Sequence, residues 1–249
     1  NWPKYAKTRF DISLMKIIYN FSPNRSRNSR ARNDIRFVII HYTGMQSEIE
    51  SIKRLKSPKT KVSCHYLINR KGQVTQMVKD KFIAWHAGKS MWKKFINLNK
   101  HSIGIELVNK GHEFGYQNFS KKQIKNLIKL CIYLKKKYSI KKENFLGHSD
   151  IAPLRKLDPG EKFPWKKLST YNIGQWYKIK NIKIKFNRKR IENFFFKNLQ
   201  QIGYRYFKIQ KRSKKDRKVI KSFQSHYLPK NVNGKIDQKT FKISLFLAQ

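Results

Sequence analysis

The sequence predicts an α/β domain, a mixed central β-sheet flanked by helices, followed by a small all-α module of three helices. Three observations carry this reading. Phe37-Val38-Ile39-Ile40 is a short β-branched apolar run, the pattern of a strand buried inside a sheet. SIGIELVN, Ser102 to Asn109, alternates Ile103, Ile105 and Leu107 with Gly104, Glu106 and Val108, so one face is expected to be buried and Glu106 to point to the other. Beyond about residue 190 the strand signals stop and helical spacing takes over.

Taken in order, residues 1–34 read as an irregular N-terminal arm, because SPNRSRNSRARND is polar, basic and rich in breakers. The first core strand follows and ends in His41-Tyr42-Thr43-Gly44, which places His41 at a strand's carboxyl end, where open α/β sheets carry their sites. A short helix is expected from Ser47 to Leu55, with Ile49, Ile52 and Leu55 as its apolar stripe. Val62–Ile68 and the run through Val74, Gln76 and Val78 form a hairpin around Arg70-Lys71-Gly72. AWHAGKSMW, from Ala84 to Trp92, is a loop of aromatics with a histidine and a glycine. Ser120 is a good N-cap for a helix to about Tyr138, whose stripe is Ile124, Leu127, Ile128, Cys131 and Leu134. The α/β pattern closes near Tyr177, giving a domain over 35–177, a basic linker over 178–189 and a three-helix module over 190–249. Within that module Ile191–Gly203 and Lys218–His226 are helical, and a third helix starts after Asp237.

Composition narrows the function. With 39% hydrophobic residues and 17 Phe among 249 residues, the chain can build a core. Its two cysteines, Cys64 and Cys131, make neither a disulfide framework nor a CxxC site. No run of about 18 apolar residues encodes a membrane span. The start, NWPKYAKTRF, lacks the apolar stretch of a secretion signal, so any signal or anchor is expected to lie outside this chain. The net charge of +44 is extreme, but the lysines are spread along the chain, with no basic arm and no nucleic-acid-binding motif. They read as a solvated surface rather than a footprint for a specific nucleic acid, which leaves contact with an anionic envelope surface open. The expected state is a monomer.

The chemistry concentrates in GHSDIAPLRKLDPGEKFPW, Gly147 to Trp165, a Pro- and Gly-punctuated loop that carries His148, Lys156 and Asp158. With His41 these supply two imidazoles and one carboxylate, the donor set of a catalytic zinc site with one open position. Amide hydrolysis at such a site needs a general base, for which Glu106 is the candidate, and a cation for the developing oxyanion, which Lys156 can supply. Each residue alone has a plainer reading: a hydrogen-bonding histidine, an ion-paired glutamate, one lysine among many. His65, His86, His101 and His112 are alternatives for the metal set, and spacing does not exclude His86.

HYTG at His41, SCHYLI from Ser63, AWHAGKS from Ala84, SIGIELVN from Ser102 and the Gly147–Trp165 loop, in this order, resemble the zinc-dependent N-acetylmuramoyl-L-alanine amidases. Those enzymes share the amidase_2, or peptidoglycan-recognition-protein-like, fold. The likeness covers about Ile35 to Tyr177 and is greatest to the AmiD-type enzymes of Gram-negative envelopes. It implies Zn²⁺ held by His41, His148 and Asp158, Glu106 as acid/base and Lys156 as transition-state stabiliser. It also implies that Tyr42, His65, Trp85, His86 and Ala87 line a groove for peptidoglycan or its muropeptide fragments. Cys64 stands where a small residue such as Ala is more usual; the metal and catalytic positions show no departure. LQQIGY from Leu199, VIKSFQSH from Val219 and the Asn233-Gly234 and Asp237–Thr240 stretches resemble a peptidoglycan-binding domain 1 module. Together these imply a periplasmic or envelope hydrolase, with a non-catalytic peptidoglycan-binding protein as the alternative.

Overall fold

The computed structural model describes residues 15–178 and 188–249. Nearly all of the expected linker, and residues 1–14 of the expected arm, lie outside the described residues.

A six-stranded sheet forms the centre. In chain order its strands are β1 (Ile17–Tyr19), β2 (Phe37–Tyr42), β3 (Tyr66–Ile68), β4 (Val74–Gln76), β7 (Ser102–Leu107) and β8 (Phe145–Gly147); β5 (Met91–Trp92) and β6 (Phe95–Ile96) make a separate two-stranded ribbon. The order across the sheet is β1-β4-β3-β7-β2-β8. β3, β7, β2 and β8 run parallel, β4 turns back as the expected hairpin, and β1 follows β4 in parallel. The arm is therefore not wholly irregular. Three residues, Ile17 to Tyr19, add an edge strand, and Ser22 and Asn24 are buried against the carbonyls of Leu55, Ser57 and Val62.

The helices fall where the pattern puts them. α1 (Glu48–Lys56) is capped by Ser47 and α2 (Lys121–Tyr138) by Ser120, each serine accepting a backbone N–H three residues on. All five residues of the α2 stripe are buried. In α1, Leu55 is buried, but Ile49 is 66% exposed and drops out of the expected stripe. Two short helices, α3 (His148–Ile151) and α4 (Trp165–Ser169), bracket the long loop, and α5 (Arg188–Ile202), α6 (Asp216–Tyr227) and α7 (Gln238–Leu247) are the three helices of the C-terminal segment.

Register decides what each face carries. β2 and β7 pair with Phe37 opposite Ser102, Ile39 opposite Gly104 and His41 opposite Glu106, so these six residues share one face. The opposite face, with Val38, Ile40, Ile103, Ile105 and Leu107, packs on α2. The first face is not open to solvent: Phe37, Ile39 and Leu146 belong to one apolar cluster with Phe195, Leu199, Val219 and Phe223 of the C-terminal helices. Every residue of β7 is buried, and Glu106 is only 9% exposed. The expectation of an uncovered face around Glu106 is thus corrected. A parallel strand in mid-sheet needs both faces covered, and the C-terminal helices supply the second cover.

Because sheet and helices share this core, they should unfold together. Phe223, fully buried with its ring edge-on to Phe195 at 5.5 Å, is a suitable probe. Phe223→Ala is expected to cost ~3–5 kcal/mol and to shift one denaturant transition that tryptophan fluorescence and far-UV circular dichroism report alike. Two separated transitions would show that the helices fold as an independent unit.

Candidate active site

His41 leaves the carboxyl end of β2, His148 opens α3 just after β8, and Asp158 closes the loop behind it. The Ser149 N–H donates to the Asp158 carbonyl at 2.8 Å, which folds that loop back on itself. The three side chains converge: His41 Nδ1 lies 2.9 Å from His148 Nδ1 and 3.0 Å from Asp158 Oδ2, and His148 Nδ1 lies 3.1 Å from the same oxygen. All three are buried.

The hydrogen-bond network sets their protons. Ser102 Oγ donates to the Leu98 carbonyl at 2.6 Å, so at 3.2 Å it can only accept from His86 Nε2. His86 Nδ1 must then accept from His41 Nε2–H at 3.0 Å, which leaves His41 Nδ1 bare. His148 Nε2–H donates to the Ala87 carbonyl at 3.0 Å, so Nδ1 is the nitrogen turned to the cluster. Burial, and then the neighbouring His148, lowers the His41 pKa to about 4 and keeps it neutral. Burial works against ionising Asp158, but the two imidazoles outweigh it and hold its carboxyl below the usual range.

With both imidazoles neutral, three lone-pair atoms face one another. A shared cation relieves that repulsion. Zinc bonded at ~2.0–2.1 Å in a tetrahedron separates its ligand atoms by about 3.3 Å, a few tenths wider than the spacing here. The donor set and its outer hydrogen bonds fit Zn²⁺ with one coordination position left free.

Glu106 sits level with His41 on the neighbouring strand. Its Oε2 is buried and has no hydrogen-bond partner among the described residues. Burial first, and then the charge of Asp158, pushes its pKa up to about 8, while Lys156 pulls the other way. Half-buried Lys156 thus bears on both Glu106 and His41. Beside it opens a cleft of about 500 Å³, walled by Pro153 to Leu157 on one side and by Lys218, Lys221 and Ser225 of α6 on the other.

The five residues expected to line a groove fare differently. Tyr42 and Trp85 stay half-exposed; the Tyr42 hydroxyl donates to His112 Nδ1 at 2.8 Å and lies near enough to feel Asp158 and Glu106. His65 does not reach a groove. It is fully buried, accepts the Gly104 N–H on Nδ1 at 3.0 Å and donates from Nε2 to the Phe82 carbonyl at 3.1 Å. His86 stands behind His41 as a support, 7% exposed, and its ring fills the space where a Cβ on Gly104 would come within 2.3 Å. The Ala87 side chain is buried, and its carbonyl is the part that acts, accepting from His148 and from Arg155. Sequence reasoning missed Arg155, whose guanidinium clasps the Ala87 and Lys89 carbonyls, and Asn99, whose Oδ1 accepts the N–H groups of His86 and Ala87. Arg155 lay in plain view inside the signature loop, whereas nothing in the sequence marks Asn99.

Residues 31–161 match the Amidase_2 family, described as N-acetylmuramoyl-L-alanine amidase. The chain is 34% identical over 227 residues to the N-acetylmuramoyl-L-alanine amidase AmiD of Escherichia coli (strain K12), covering 84% of this chain and 81% of that protein. It is 40% identical over 108 residues to the 1,6-anhydro-N-acetylmuramyl-L-alanine amidase AmpD of Haemophilus influenzae, a match that takes in 43% of this chain and 56% of that one. Among solved structures it superposes with a TM-score of 0.75, at 32% identity and over 89% of this chain and 91% of the other, on Escherichia coli AmiD in complex with the substrate anhydro-N-acetylmuramic acid-L-Ala-D-gamma-Glu-L-Lys. Pseudomonas aeruginosa AmpDh3 in complex with anhydromuramic pentapeptide gives 0.74 at 29% identity, over 89% and 92%. The chain belongs to the N-acetylmuramoyl-L-alanine amidase family.

Proposed function

We propose that the protein hydrolyses the amide between the lactyl group of N-acetylmuramic acid and L-Ala of the peptidoglycan stem, using Zn²⁺ held by His41, His148 and Asp158. The observation that carries this is the convergence of two imidazole nitrogens and a carboxylate oxygen beside Glu106, whose buried Oε2 has no hydrogen-bond partner among the described residues. Zinc in a three-ligand site supplies Lewis acidity, polarising an amide carbonyl and making water acidic enough to deprotonate near neutrality, with a pKa of ~7. Glu106 takes the proton from the attacking water on Oε2 and passes it to the departing alanine nitrogen. Burial, which disfavours its ionised form, suits the second half of that cycle, in which the carboxyl keeps the proton until the nitrogen accepts it. The Lys156 ammonium stabilises the developing oxyanion; removing one such donor costs ~3 kcal/mol of transition-state stabilisation.

The solved relatives hold anhydromuropeptides, which supports the same class of substrate here. Likeness to AmiD supports a place in the periplasm or envelope, and among the described residues no helix is long and apolar enough to cross a membrane. The peptidoglycan-binding-domain pattern in Leu199–Tyr204 and Val219–His226 supports a wall-binding role for α5 to α7.

Purified peptidoglycan digested by the protein should release stem peptides that begin with L-Ala, read by mass spectrometry; the products should vanish with a chelator and return with Zn²⁺. Intact muropeptides despite full zinc loading would falsify the catalytic reading. Glu106→Gln and Lys156→Met should keep the fold and the bound zinc while lowering kcat by about 10²–10³-fold; near-normal turnover in either would remove that residue from the mechanism. Burial of Glu106 also has a signature in the metal-free protein. Its folded pKa of about 8 lies above the unfolded value near 4.5, so folding retains a proton that the unfolded chain releases. Stability should fall as pH rises between those values, by up to ~1.4 kcal/mol per unit. In chelator, urea titrations of the wild type minus those of Glu106→Gln should show that slope, and a flat difference would contradict it.

A further inference from the structure

The catalytic turn is tied to the C-terminal helices by side chains that the family match, which ends at residue 161, does not include. Asp150, two residues after His148 and 1% exposed, is the centre of the tie. Its Oδ2 accepts the Gly147 N–H at 2.7 Å, capping the turn that starts with His148. The remaining capacity of the carboxylate goes to the other segment: Oδ1 accepts from Tyr204 Oη at 2.5 Å, and Oδ2 accepts from His226 Nδ1–H at 2.7 Å. Next to it, Ser222 Oγ donates to the Ser149 carbonyl at 2.8 Å.

None of these groups is loosely placed. Tyr204 is fully buried with its ring edge-on to Trp92, and the His226 ring is stacked between Trp165 and Tyr227, 4.0 Å from each and within 13° of parallel to both. Aromatic packing thus fixes both donors before they meet the carboxylate, and the carboxylate in turn fixes the backbone that carries His148. In a buried setting each such hydrogen bond is held firmly, because an unpaired Asp150 oxygen would bear the full desolvation cost.

We propose that Tyr204 and His226 are positioning residues for the metal site: through Asp150 they hold His148 where its Nδ1 meets His41 and Asp158, so that zinc affinity depends on the C-terminal helices. This rests on the zinc reading above. A purely structural role predicts something different, namely that loss of these contacts lowers stability and leaves the metal site unchanged.

The test is zinc affinity of the full-length protein, measured by competition with a chromophoric chelator, beside thermal melting of the metal-free form. His226→Phe keeps a ring for Trp165 and Tyr227 but removes the donor; Tyr204→Phe removes only the hydroxyl. Each is expected to weaken zinc binding by about tenfold, the lower end for outer partners of a metal ligand. His226→Asn, whose amide nitrogen can take the place of Nδ1, should regain most of the affinity although it loses the stacking. Leu247→Ala, a cavity in the same core that removes none of the hydrogen bonds to Asp150, should lower the melting temperature and leave zinc affinity unchanged. Equal affinity in wild type, His226→Phe and Tyr204→Phe would overturn the proposal alone, as would a loss in Leu247→Ala matching theirs. A wild-type chain that takes up no zinc would overturn the metal reading, and the proposal with it.

Discussion

Strands β2 and β7 run parallel through the middle of the sheet, and a parallel pair in that position must be kept dry on both faces. The rest of the molecule answers to that constraint. α2 covers one side with an ordinary aliphatic stripe. The other side carries Phe37 and Ile39 towards one end and His41 and Glu106 towards the other, so its cover must be apolar over half its length and polar over the rest. The C-terminal helices provide the apolar part. The His86 ring, the Ala87 carbonyl and the Gly147–Trp165 loop provide the polar part. Glu106 owes its raised pKa to this arrangement, since the layer that stabilises the sheet also strips water from the carboxylate.

The donor atoms show how such a site is kept from collapsing. Two neutral imidazoles and a carboxylate pressed together would normally recruit a proton. Here a serine hydroxyl already committed to a carbonyl dictates the His86 tautomer, which dictates that of His41. The network places the Nε2 protons of His41 and His148 on the periphery and turns both Nδ1 atoms to the centre. Asn99 anchors the loop that carries two of these supports by accepting their N–H groups at 2.7 and 3.0 Å.

Much of this was legible in the sequence because it follows local rules. The β2 run, the hairpin, the capped α2 helix and the three C-terminal helices all show in periodicity and capping, and His41, Glu106, His148, Lys156 and Asp158 stand in long motifs. What escaped depends on distant partners. Spacing could not show that His65 uses both ring nitrogens inside the protein, nor that His86 faces His41 instead of a ligand. Alternation along β7 named the face of Glu106 correctly, but the cover on that face comes from helices far along the chain. Ile17–Tyr19 is too short to display a period, and Ile49 sits on a helix whose first turn lies over solvent. Asp150 reads as an ordinary loop acid until the side chains 54 and 76 residues away are seen against it.

The pairing of His41 with Glu106 across β2 and β7 has a consequence for folding fidelity. Side chains alternate with a period of two, so a slip of one residue would turn Glu106 into the aliphatic layer under α2 and bring Ile105 or Leu107 beside His41. Such a species could keep its helices, its compactness and much of its spectroscopic signature, yet it would have no carboxylate from the neighbouring strand beside His41, His148 and Asp158. On the proposed role of Glu106, catalytic competence is therefore a direct gauge of strand alignment: each active molecule is one in which these two strands have found their register.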